Sequence, residues 1–74
     1  MEETIEYNGK TITKNQFIGA MYQYGEVGGH SIDQYIATMT WYSVLNNDIR
    51  QGDSGPLNGK LERDIWLPVL EEYL

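Results

Sequence analysis

No cysteine occurs in this 74-residue chain, and His30 is its only histidine. The first absence removes disulfides and thiolate zinc sites, and the second removes any histidine cluster able to hold a metal. Basic residues are also scarce. Five Lys and Arg stand against eleven Asp and Glu, a net charge of −6. That balance works against direct nucleic-acid binding, whose affinity comes from Lys and Arg neutralising phosphates. It works equally against adhesion to anionic membranes. An acidic surface steers towards a protein partner with a basic surface, including the nucleic-acid-binding face of another protein. The same charge also serves solubility. Long apolar runs are missing too, far short of the roughly 20 residues of a membrane span. Met1-Glu2-Glu3 is acidic and no apolar segment follows, so no secretory signal is expected. These absences lead to the expectation of a soluble, cytoplasmic protein without membrane association.

What is present is an aromatic surplus: two Trp, six Tyr and one Phe. A chain this short forms one domain, 1–74, and buries only about 60% of the surface that its unfolded form exposes. A core of that size rarely supplies more than about 3–5 kcal/mol without disulfides, a metal or a partner chain. Large aromatic side chains, each burying about 150–250 Å², are one remedy, and a homodimer is another.

Along the chain, residues 4–13 alternate in polarity around Asn8-Gly9, the dipeptide that a two-residue type I′ hairpin turn prefers. The turn pairs Tyr7 with Lys10, Glu6 with Thr11 and Ile5 with Ile12. Ile5, Tyr7 and Ile12 then share one face, which must lie on helices or on another chain. A helix is predicted over 13–24, with Thr13 and Gln16 as capping box and Ile12 and Phe17 as hydrophobic staple. Its buried stripe reads Phe17, Ile18, Met21 and Tyr22; Gly25 ends it, and 25–30 reads as a flexible loop. A second helix is predicted over 31–50, capped by Ser31 and Gln34 and stopped at Gly52. Its stripes, Ile32/Tyr35/Ile36/Met39 and Trp41/Val44/Leu45/Ile49, cover more than half its circumference, so it is expected to be the central, most buried element. Residues 51–59 form a turn-rich connector. A third helix spans 57–74, with Leu57, Leu61 and Ile65 at helical spacing, and is kinked or split at Pro68. The fold class expected is a small α+β domain, an N-terminal β-hairpin followed by three helices.

Residues 51–57, Gln51-Gly-Asp-Ser-Gly-Pro-Leu57, resemble the nucleophile loop of trypsin-like serine proteases, which runs Gly-Asp-Ser-Gly-Gly-Pro. One glycine is missing, and Ser54 needs a histidine base backed by an aspartate, for which only His30 in a glycine-rich loop is available. The segment therefore reads as a turn. No register starting at Asp48 or Asp53 places oxygen ligands as a calcium loop requires. Gly25-Glu-Val-Gly-Gly-His30 lacks the Gly-Lys-Ser/Thr ending of a phosphate loop. Glu2/Glu3, Glu62/Asp64 and Glu71/Glu72 are neighbours in sequence and not carboxylates facing across a cleft. No catalytic residue, metal ligand or cofactor site is expected.

Tyr and Trp are enriched where proteins bind one another. On the second helix Thr38, Trp41 and Tyr42 fall on the more polar side, and Tyr24 and Tyr42 are the aromatics expected at the surface. The candidate partner-binding set is Tyr24, Glu26, Asp33, Tyr42, Asp48, Glu62 and Asp64. Charge, size and the aromatic surplus leave two expected functions. One is a non-enzymatic protein-binding module, in its sharp form an acidic inhibitor that mimics nucleic acid on a nucleic-acid-binding protein, as small phage-type anti-defence proteins do. The other is a homo-oligomeric assembly protein, built on the small core, the aromatic surplus and a hairpin strand free to pair with another chain.

Overall fold

Asn8 (φ 50°) and Gly9 (φ 78°) both lie in the left-handed region, as a primed hairpin turn demands. Across that turn β1 (Thr4–Tyr7) pairs antiparallel with β2 (Lys10–Thr13) in the predicted register, Ile5 opposite Ile12 and Tyr7 opposite Lys10. Ile5 and Ile12 are buried, and Tyr7 is half-buried on the same face. On the outer face Thr11 Oγ1 donates to Glu6 Oε1 at 2.6 Å. The computed structural model describes residues 3–52 and 54–74. The chain continues through α1 (Lys14–Gly28), α2 (Gln34–Asn46) and α3 (Glu62–Leu70), and closes with a 3-10 turn, Glu71–Tyr73. The expected small α+β domain is therefore observed: a two-stranded hairpin, then three helices, the last joined from α and 3-10 pieces.

α1 begins where its capping box places it. Gln16 N–H donates to Thr13 Oγ1 (3.2 Å), and Thr13 N–H donates to Gln16 Oε1 (2.9 Å). Its end differs from expectation. The helix passes Gly25 and runs to Gly28, where Gly29 (φ 72°) reverses the chain. The N–H groups of Gly29 and His30 both close on the Gly25 carbonyl, so the expected flexible loop is mostly helix and hydrogen-bonded turn. Position 25 is tight because the returning chain packs on it. A Cβ there would stand 3.0 Å from the His30 carbonyl oxygen and 3.1 Å from Ile32 Cδ1. Gly25→Ala is expected to destabilise the domain by about 1–2 kcal/mol through this crowding. Gly19→Ala, in the same helix with open space around it, is expected to stabilise by about 0.5–1 kcal/mol. Urea midpoints of the two variants, read against the parent, check both signs.

α2 is shorter than predicted at both ends. Its N-cap is Asp33, not Ser31: Ile36 N–H donates to Asp33 Oδ1 at 2.8 Å. Its C-terminus is set by Asn47 in the left-handed region (φ 54°) and by Arg63 from α3. Arg63 Nε and Nη2 donate to the Val44 and Leu45 carbonyls, each at 2.9 Å. A guanidinium there bonds the Leu45 carbonyl and adds a second donor to that of Val44, which also accepts from Asn47 N–H, and it opposes the negative end of the helix dipole. Ile49 then forms an antiparallel bridge with Leu61, while Arg50 bonds Lys60 and Gly59 through its backbone. These bonds hold 57–61 outside the helix, so α3 starts at Glu62 and not at Leu57. Pro68 lies inside α3 and does not split it; helical geometry continues to Leu70 before tightening. Asp53, included in the turn and calcium readings, falls outside the described residues.

The core joins all these elements. Phe17 of α1 and Trp41 of α2 pack at 5.5 Å between ring centroids, tilted by 55°. Ala20, Met21, Ala37, Val44, Leu67 and Leu70 fill the space around them beneath Ile5 and Ile12. Asn8 Nδ2 donates to Glu71 Oε1 at 3.2 Å and ties the hairpin tip to the closing turn.

Candidate interaction surfaces

α2 is not the fully buried element that its two apolar stripes suggest. Only Ala37, Trp41 and Val44 are buried, and they occupy one side. The opposite side carries Tyr35 (73% exposed), Met39 (49%) and Tyr42 (42%), at i, i+4 and i+7, with Ile36 beside them. A three-helix domain has no further layer to cover that side. Trp41, which by sequence falls both in an apolar stripe and on the more polar side, is 1% exposed and forms the centre of the core. Tyr22 of α1, expected in the core stripe, is also exposed at 41%. Ala20 and Gly25 take the buried positions instead.

α1 and α2 run antiparallel. Lys14 meets Tyr42 at one end of the pair, and Gly25 meets Ile32 at the other. From Lys14 on Tyr42, the i+4 series Lys14, Ile18, Tyr22, Glu26 leads along α1 towards the N-terminal end of α2, with Ile18 half-buried against the core and Tyr22 and Glu26 exposed. Lys14 Nζ donates to the Tyr42 hydroxyl at 3.2 Å and lies 5.1 Å from its ring centroid. The residues between Lys14 and Glu26 are all uncharged, and so is every residue of α2. That lack of charge on a solvent-facing helix is the sequence signal that could have revealed the face, because interface centres are depleted in charge.

The remaining predicted site residues separate into groups. Asp48 lies at the α2–α3 junction, where its carbonyl accepts from Glu62 N–H at 2.8 Å, and Asp64 lies exposed in the first turn of α3. Glu26 and Asp33 lie at the other end of α2, and Asp33 acts as its cap. Glu62 turns inward: Arg50 Nη2 contacts both of its carboxylate oxygens, at 2.9 and 3.1 Å. Tyr24, expected at the surface, is half-buried. His30 stacks on it at 5.1 Å and Trp66 meets it edge-on at 6.2 Å. His30 and Ser54 lie at opposite ends of α2, the first ahead of its N-cap and the second beyond its C-cap. Among the described residues no three His, Asp or Glu side chains converge as metal ligands, and no helix is long and apolar enough to cross a membrane.

Beside Tyr24, the Tyr73 hydroxyl is held above the ordinary value of 10.0, first by burial and then by the charge and hydrogen bond of Glu72. A raised value favours the neutral phenol in the folded chain. Its stabilising contribution is thus complete below about pH 10 and lost as pH rises through the folded value. In an ultraviolet titration a phenol ionising above the ordinary value is expected, and Tyr73→Phe is expected to remove that step.

Compared with family models, curated proteins and solved structures, the chain matches none.

Proposed function

We propose that this chain is a non-enzymatic protein-binding module that docks on the basic surface of another protein. In its specific form it occupies the nucleic-acid-binding face of that partner as an acidic decoy. The observation that carries this reading is the division of charge between interior and surface. Both arginines are drawn inward, Arg50 onto Glu62 and Arg63 onto the end of α2. Among the described residues Glu6, Asp48, Asp64, Glu71 and Glu72 stay exposed with Lys10 and Lys60, while Lys14, Arg50 and Arg63 are half-buried. The outward face of the molecule is therefore more acidic than its composition implies, and an acidic surface speeds and orients encounter with a basic one.

The test is capture of lysate proteins on the immobilised chain, with elution along a rising salt gradient. The expected partner binds nucleic acid, is displaced by added DNA or RNA, and elutes at lower salt from Asp48→Asn/Asp64→Asn or Glu71→Gln/Glu72→Gln chains. A partner that ignores both salt and these substitutions would refute the decoy reading.

A further inference from the structure

We propose that the outer face of α1 and α2 is the interface of a symmetric dimer, occupied by a second copy of this chain. The face is apolar where it should be polar. Tyr35, Met39 and Tyr42 of α2 and Tyr22 of α1 stand out from it, and the charged side chain that touches them is Lys14, on Tyr42 at one end. The 4–3 spacing of Tyr35, Met39 and Tyr42 is that of a helix-packing seam.

Area is the first argument. With a fully buried aromatic worth about 150–250 Å², these half-exposed side chains offer on the order of 400–500 Å². That is close to a tenth of the 4900 Å² total surface. Small specific interfaces take about 600 Å² from each partner. The stripe thus supplies most of such an interface, with polar neighbours such as Asn46 completing its rim.

Charge identifies the occupant. Lys14 and Glu26 stand at opposite ends of one α1 row, with only uncharged residues between them. A two-fold axis through the middle of the face, between α1 and α2, brings each Lys14 towards the partner's Glu26 end. Such self-complementarity is what an isologous interface requires, since each contact then occurs twice. A basic foreign partner gains little here, because the face holds no carboxylate short of its rim. Two copies of net charge −6 repel one another overall. Apolar burial therefore drives the pairing, while the Lys14–Glu26 contacts set its direction. Lys14 uses one of its donors on Tyr42 and keeps others free for this contact. The inference stands independently of the proposed basic partner, since the acids at the α2–α3 junction and in the closing turn lie outside this face.

Sedimentation across a series from about 1 µM to about 500 µM, where small interfaces dissociate, is the test. A concentration-dependent dimer is expected. Tyr35→Glu and Met39→Glu should each shift it to monomer while leaving circular dichroism and melting of the dilute protein unchanged. Lys14→Glu and Glu26→Lys should each weaken it about tenfold, through like charges facing each other at both ends. An equimolar mixture of those two variants should recover the parent affinity as a heterodimer, because both contacts are then opposite in sign. A monomer at the highest concentration overturns the proposal and leaves the face to a foreign protein. A dimer indifferent to Tyr35→Glu and Met39→Glu, or a mixture no tighter than its components, overturns it as well.

Discussion

Trp41→Ala is expected to leave the domain without a cooperative unfolding transition at 25 °C. Trp41 is the largest fully buried side chain, and its ring lies against Phe17 beneath the hairpin isoleucines. Removing a buried tryptophan costs about 3–5 kcal/mol in lost transfer energy and residual cavity. A core of this size rarely supplies more than about 3–5 kcal/mol in all, so the substitution consumes the margin. No disulfide stands in reserve. Trp41→Phe keeps an aromatic ring on Phe17 and is expected to retain a cooperative transition at a lower midpoint. Thermal melts followed by near-ultraviolet circular dichroism separate the cases. For a domain this small, each 1 kcal/mol lost moves the midpoint by about 4–8 °C. A cooperative melt of Trp41→Ala only a few degrees below the parent would show that the core closes around the gap.

Glu62→Ala is expected to cost about 2–3 kcal/mol, the second largest single effect. The Glu62 and Arg50 side chains are 11% and 28% exposed, so neither is fully screened by water. Breaking a fully buried pair costs about 3–5 kcal/mol, and the residual exposure here lowers that figure. The pair joins segments that the Ile49–Leu61 bridge and the bond from Glu62 N–H to the Asp48 carbonyl also hold together. Arg50 lies in the loop bridged by Ile49 and Leu61, and Glu62 is the first residue of α3, where a carboxylate also suits the helix dipole. Arg50→Met combined with Glu62→Leu is expected to recover most of the loss, because packed apolar residues replace a buried pair at little cost. A double-mutant cycle on Arg50→Ala and Glu62→Ala should return a coupling of about 1–3 kcal/mol. Strictly additive losses would mean that the two side chains act separately.

These two sites also mark where sequence reasoning succeeded and where it stopped. The hairpin register was legible because Asn8-Gly9 and the polarity of its flanking residues suffice to set it. The start of α1 was legible because Thr13 and Gln16 bond within three residues of each other. The ends of α2 were not legible, since Arg63 closes its C-terminus from well along the chain and Ile32 is drawn onto Gly25 ahead of its N-terminus. Glu62 could be read as acidic but not as buried, because its partner Arg50 arrives only when the 49–61 loop folds back. Tyr24 was assigned to the surface on its polar neighbours, and in the fold it lies between His30 and Trp66.

By itself the sequence determined the class of fold, the hairpin pairing, the first helix cap and an excess of negative charge. Each of these follows from residues within a few positions of one another or from composition, so no distant contact could overrule them. Only the tertiary structure decided which side of α2 meets the core, because two apolar stripes compete for one buried face and the neighbouring helices choose between them. It likewise decided which charges reach solvent, since whether a carboxylate is free depends on the partner that folding brings to it.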